Sequence, residues 1–171
     1  MLLAAGCTHV IVGHSERRQF FGESDQSVNQ KLHAALTAGL TAIVCVGELL
    51  QEREAGRTED VLRRQCAGDL HGMAPIAPNT ETQFTIAYEP VWAIGTGKTA
   101  TPQMAVEAHR FIRSQVQSIL GQAAANSLRI LYGGSVKPEN TKTLLSESEI
   151  DGALVGGSSL DAKSFAAIVH Y

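Results

Sequence analysis

The chain has 171 residues, 44% of them hydrophobic, enough for one sizeable core, and it reads as a single domain over residues 1–171. A formal charge of −3 and a pI near 6.1 leave no basic footprint, which argues against a nucleic-acid partner. No apolar run approaches the roughly twenty residues that span a bilayer, which argues against a membrane partner.

The start, Met1 to Cys7, reads as too short and too poor in basic residues for a signal peptide. Cys7, Cys45 and Cys66 show no CxxC spacing and read as free thiols of a reducing, cytoplasmic compartment. The six His residues lack paired ligand spacing, so no metal is expected.

In chain order, short β-branched runs alternate with helical patterns. The run His9 to Gly13 comes first. Val28, Leu32, Ala35 and Leu36 then recur at helical spacing before Gly39, a C-terminal stop. Thr41 to Val46 is the second run, followed by a helical stretch from Thr58 to Leu70 and a loop from Gly72 to Gln83 with Pro75, Pro78 and Asn79. Phe84 to Tyr88 is the third run. The long helix from Thr101 to Leu120 opens on a capping Thr and a first-turn Pro. Arg129 to Tyr132, a helix from Pro138 to Leu145, Gly152 to Val155 and a helix from Asp161 to Val169 complete the series. The runs are apolar on consecutive positions, which predicts parallel strands covered on both faces. About five βα units therefore form an α/β fold, either an open sheet or the larger part of a barrel.

The ends of these runs carry the chemistry. The third stops at Glu89-Pro90, and parallel folds place functional carboxylates at the carboxyl ends of buried strands. Taken alone, Glu89 reads equally well as an ion-paired carboxylate before an ordinary turn. The loop after it has the make-up of a lid, stiff at Pro90, apolar at Val91, Trp92 and Ile94, and free to hinge at Gly95 and Gly97. His14 follows the first run, where Ser15 can cap a helical turn whose N-terminus favours a neutral imidazole. A lone His of this kind is also commonly satisfied within a plain turn. Gly133-Gly134-Ser135 and Gly156-Gly157-Ser158-Ser159 end the last two runs and offer backbone N–H groups suited to a phosphate dianion. Asp161 or Ser159 can cap the last helix. A carboxylate, a neutral imidazole, a phosphate cradle and a lid together point to proton abstraction beside the carbonyl of a small phosphorylated substrate.

These motifs, in this order, resemble the triosephosphate isomerase family across essentially the whole chain. The resemblance rests on Val12 to Arg18, Cys45 to Glu48, the run from Ala87 to Lys98, Tyr132 to Val136, and Gly156-Gly157. It implies a partial TIM (βα)₈ barrel and interconversion of dihydroxyacetone phosphate and glyceraldehyde 3-phosphate, in glycolysis and gluconeogenesis, without cofactor or metal. The expected partners are the triose phosphate and a second copy of the chain. The roles implied are those for which the family is known: Glu89 as base and His14 as electrophile, with Glu16 in support. Gly95, Ser135, Gly156 and Gly157 hold the phosphate, and the lid is Pro90, Val91, Trp92, Ala93, Ile94, Gly95, Thr96, Gly97, Lys98 and Thr99. The match begins just before the family's fourth strand, so three βα units are expected to be missing, together with an Asn and a Lys that follow the family's first strand. The chain alone is then expected to be inactive, and the alternative is an inactive fragment or interaction module with a partial phosphate site. Five strands of eight also leave two open sheet edges.

Overall fold

The computed structural model describes residues 1–77, 83–94 and 98–171. Each β-branched run is a strand: β1 (His9–Val12), β2 (Thr41–Val46), β3 (Phe84–Tyr88), β4 (Ile130–Tyr132) and β5 (Gly152–Ala153). They form one sheet in the order of the chain, every neighbour parallel. Parallel neighbours cannot be joined by hairpins, so each link is a crossover that carries helix. Helices α1 (Ser15–Phe20) and α2 (Asp25–Thr37) join the first pair; α3 (Leu50–Glu54) and α4 (Thr58–Asp69) join the second. Helices α5 (Pro102–Leu120) and α6 (Gln122–Ser127) precede β4, α7 (Pro138–Leu145) precedes β5, and α8 (Ala162–Val169) follows. A doubly wound open sheet reverses its strand order at a switch point. An order without reversal, built from right-handed crossovers, keeps the helices on one face, as in a barrel. The architecture is that of a partial TIM barrel.

Local chemistry explains where the elements stop and start. On α2, Ser24 and Ser27 cap each other's backbone N–H at 3.2 and 2.9 Å, and Val28, Leu32 and Ala35 are buried. The helix ends at Gly39, whose φ of +79° lets the Leu40 N–H return to the Ala35 carbonyl at 2.9 Å. Thr101 caps α5 by accepting from the Met104 N–H. Asp161, not Ser159, caps α8, accepting from the Ser164 N–H at 2.8 Å. Helices α3 and α6 were not legible as patterns, because five or six residues carry too few apolar repeats to set a period. Strand β5 stops two residues short of Val155: the Leu154 N–H still reaches the Tyr132 carbonyl at 2.9 Å, and the chain then leaves the ladder. Residues 72–77 are irregular, and Pro78 and Asn79 lie outside the described residues.

The core lies between helices and sheet. Val12, Val44, Ile86 and Ile130 are in register across four strands, with Val46, Tyr88 and Tyr132 in the next layer, and all are buried. The opposite face departs from the expected double cover. Ile11, Ile43 and Thr85 are in register there, Ile11 is 45% exposed, and Ile43, Thr85 and Leu131 are half-buried. Consecutive apolar residues mark both faces of a strand as apolar, but whether a layer covers each face depends on elements elsewhere in the fold. Among the described residues β1 and β5 are the outer strands, each paired on one side.

His109, on α5, is fully buried; Nδ1 lies 2.9 Å from the Glu149 carbonyl, and Nε2 has no partner among the described residues. Burial outweighs the carbonyl and brings its pKa from 6.5 down to about 4. Between those values the unfolded chain binds a proton that the folded chain excludes, so stability rises with pH. This group alone should cost roughly 3 kcal/mol of stability as pH falls from 6.5 to about 4. Urea unfolding of wild type and His109→Gln across that range should give a stability difference that narrows as pH falls. A difference independent of pH would show that this ring is not the proton-linked group.

Candidate active site

The end of β1 is drawn tightly against β2. Gly13 has a φ of +72°, and a Cβ there would stand 3.1 Å from the Cys45 carbonyl and 3.0 Å from Arg18 Nη2. The next residue, His14, is itself the cap of α1; Ser15, expected as the cap, is the buried first helical residue. The His14 ring accepts the Glu16 N–H at Nδ1, 3.4 Å away. That partner assigns the proton of the neutral ring to Nε2, which lies 3.0 Å from Glu89 Oε1.

Glu89 is 2% exposed and lies just past β3. Its N–H donates to the Val46 carbonyl at 2.7 Å, and its Oε2 accepts the Ser15 N–H at 2.9 Å. The carboxylate thus reaches over β2 to residues that follow β1. Two glycines permit this: a Cβ on Gly47 would fall 1.7 Å from the Glu89 carbonyl oxygen, and one on Gly133 would fall 2.9 Å from Glu89 Cγ. Cys45 is buried as expected for a small core residue; burial first, and the Glu89 carboxylate second, push its thiol well above the ordinary value.

The segment expected as a lid begins beside a second buried carboxylate. Glu48 accepts from Tyr88 Oη at 3.1 Å, from Trp92 Nε1 at 2.9 Å and from Arg53 Nη1 at 3.2 Å. The Arg53 guanidinium also stacks 4.9 Å over the Trp92 ring. Pro90 precedes a 3₁₀ turn, Val91–Ala93, closed by the Ala93 N–H on the Pro90 carbonyl at 2.7 Å, and Ile94 is its C-cap. Gly95, Thr96 and Gly97 lie outside the described residues; Lys98 and Thr99 are exposed.

A cleft of about 440 Å³ joins these groups to the ends of β4 and β5. His14 and Glu89, after β1 and β3, line it together with Ser135, Gly156 and Gly157, after β4 and β5. The two loops are tied by Ser158 Oγ, which donates to the Val136 carbonyl at 2.8 Å. Among the described residues, the N–H groups of Gly134, Ser135, Gly156 and Gly157 donate to nothing. Gly157 opens a 3₁₀ turn, Gly157–Leu160, and a Cβ on Gly156 or Gly157 would meet no atom of the described residues within 4 Å. Packing among the described residues requires neither glycine.

Lys137 lines the same cleft and was not singled out in the sequence, where its position two residues after Ser135 was the only pointer. The Ser15 backbone donor leaves no trace in residue identity at all. Glu16 is exposed, and its carboxylate forms no ion pair among the described residues.

Two influences oppose each other at His14. The hydrogen bond to Glu89 is the stronger and lifts the ring above its ordinary 6.5; burial opposes it, and the charges of Glu89 and Glu16 add to the rise. The Glu16 N–H at Nδ1 favours the neutral ring, as the sequence led us to expect of a helix N-terminus, but Glu89 sets the direction of the shift. An NMR titration of His14 should give a midpoint above 6.5 that falls in Glu89→Gln. A midpoint below 6.5 in wild type would mean that the backbone donor dominates.

Comparison with known proteins follows the same line. Residues 1–171 match the family model described as triosephosphate isomerase. The chain is 58% identical over 171 residues to the triosephosphate isomerase of Geobacter metallireducens and 59% identical over 171 residues to that of Geotalea uraniireducens. Each match covers 100% of this chain and 67% of the relative. The similarity to the Pelobacter propionicus triosephosphate isomerase is 56% over 167 residues, covering 98% of this chain and 65% of the relative.

Proposed function

The chain belongs to the triosephosphate isomerase family, and from that premise we propose that its cleft interconverts dihydroxyacetone phosphate and D-glyceraldehyde 3-phosphate. One observation carries the reading: a single cleft is lined by a carboxylate–imidazole pair and by four residues whose backbone N–H groups have no partner among the described residues. The amide end, at Ser135, Gly156 and Gly157, suits the phosphate dianion and fixes the three-carbon chain beside Glu89.

Glu89 removes a proton from the carbon next to the carbonyl; the C–H electron pair becomes a carbon–carbon double bond as the carbonyl π pair moves onto oxygen, giving an enediolate. His14 Nε2–H donates to that oxygen where charge develops, and proton exchange between the two oxygens prepares the intermediate for return. Glu89 then delivers its proton to the neighbouring carbon, so no electrons enter or leave. Ser15 engages one Glu89 oxygen and His14 the other in the described state, and each oxygen has a second lone pair with which to take the substrate proton. The lid from Pro90 to Thr99 excludes water from an enediolate that otherwise eliminates phosphate. Glu16 supports the site through its backbone N–H and its charge near His14. The reading carries with it glycolysis and gluconeogenesis, a cytoplasmic location and a pair of identical chains. Among the described residues no helix is long and apolar enough to cross a membrane.

A second reading, phosphate binding without turnover, is favoured by the charge of the cleft. Among its described lining residues Lys137 is the one lysine or arginine, and it belongs to the phosphate end. Among the described residues no such cation lines the cleft beside His14 and Glu89, where the enediolate charge forms.

A coupled assay with glyceraldehyde 3-phosphate, run beside Glu89→Gln, separates the two. Turnover that vanishes in Glu89→Gln supports isomerisation, and Glu89→Asp should then lower kcat by about a hundredfold or more with little change in KM. Phosphate binding without Glu89-dependent turnover favours the second reading. Turnover equal in wild type and Glu89→Gln would remove Glu89 from the base role. Separately, Gly157→Ala should leave the melting temperature unchanged and weaken inorganic phosphate by about tenfold. Unaltered phosphate affinity would move the anion site elsewhere.

A further inference from the structure

Strand β1 pairs with β2 only as far as Val12 opposite Val44. The backbone of β2 continues past that point, and among the described residues its next polar groups on this side have no strand to meet. Side chains take the place of the strand. Arg18 Nη2 donates to the Cys45 carbonyl at 3.3 Å, and Gln65, 4% exposed on α4, serves Gly47. Gln65 Oε1 accepts the Gly47 N–H at 2.8 Å, and Gln65 Nε2 donates to the Gly47 carbonyl at 3.2 Å. A side-chain amide holds a donor and an acceptor in one plane, as a peptide does, so it can complete both bonds at once.

The residues fixed in this way carry the proposed base and the root of the lid. On the other side of the same backbone, the Val46 carbonyl accepts the Glu89 N–H at 2.7 Å and the Glu48 carbonyl accepts the Val91 N–H at 3.1 Å. Gly47 lies between them, so close to Glu89 that no side chain fits. Glu48 in turn holds Tyr88 and Trp92 through its carboxylate. A displacement of the Gly47 peptide is therefore passed to Glu89 on one side and to Trp92 on the other.

We propose that Gln65 is a positioning residue, which sets Glu89 and the Trp92 hinge of the lid by clamping the Gly47 peptide. It touches no reacting atom. The catalytic part of the inference rests on the reading of Glu89 as base; the hinge part does not.

Trp92 is the chain's single tryptophan, so its emission reports on the hinge without labelling. The test compares wild type with Gln65→Glu, which keeps an acceptor for the Gly47 N–H and loses the donor, and with Gln65→Met, which keeps neither. Emission spectra and acrylamide quenching are read under native conditions, beside kcat, KM and melting temperature. In Gln65→Glu, Trp92 emission should move to longer wavelength with stronger quenching, and kcat should fall by about tenfold to a hundredfold while KM stays within about twofold. Gln65→Met should show the same changes more strongly; if it fails to fold, Gln65→Glu decides. A lower melting temperature with unchanged Trp92 emission and unchanged kcat would overturn the proposal and leave Gln65 a purely stabilising residue. If wild type shows no Glu89-dependent turnover, the isomerase reading fails on that result. The hinge role then stands or falls on the Trp92 signal alone.

Discussion

A carboxylate that is buried, and that finds its donors beyond a neighbouring strand, constrains this entire end of the sheet. Glu89 follows β3, while Ser15 and His14 follow β1, and β2 runs between. Burying such a charge is costly unless other groups replace the water it loses. Here a backbone N–H and an imidazole do so, and they are within reach only because Gly47 lets the backbone at Glu89 lie directly on β2. The register of three strands, the cap of α1 and the glycine at 47 are therefore one arrangement.

The glycines around the cleft fall into two physical classes. Gly47, Gly133 and Gly134 are glycine because a Cβ would strike Glu89 or Tyr132. Among the described residues, no atom stands within 4 Å of a Cβ on Gly156 or Gly157, and their N–H groups have no partner. The first class serves internal packing around the carboxylate. The second leaves room for a group from outside the chain to approach the backbone. A site that binds an anion through amides has need of both.

Buried acids at this end of the sheet each meet a cation, though Asp69 Oδ1 has no partner among the described residues. Glu23 accepts from the Gly13 N–H, Arg17 and Lys31; Asp69 meets Arg18; Glu48 meets Arg53. Arg18 also holds the Gly13 and Cys45 carbonyls. Strands of unequal length leave backbone groups unmatched at their carboxyl ends, and an unmatched buried group is expensive. Charged and amide side chains from the helices meet that need. The charge concentrated at this end of the sheet is thus largely framework, within which only a few groups are placed to act.

Local pattern determined much of this protein. Five β-branched runs became five strands in the expected order, Gly39 ended α2, and Thr101-Pro102 opened α5, because each outcome depends on residues within a few positions. The placement of Glu89, His14 and the Gly-Gly pairs at strand ends was legible for the same reason, and their motif order was specific to one family. What the sequence could not show depends on partners distant along the chain. The Ser15 N–H as a donor to Glu89 involves no side chain of Ser15. The clamp of Gln65 on Gly47 joins residues on separate elements, and the rise in the affinity of His14 for a proton depends on a carboxylate from another strand. The partial cover of the face that bears Ile11 is a property of the assembled layers. Residue type and spacing set conformational preference and periodicity, which are local. Hydrogen-bond partnership, burial and proton affinity are set by three-dimensional neighbours, and only the tertiary structure decided them.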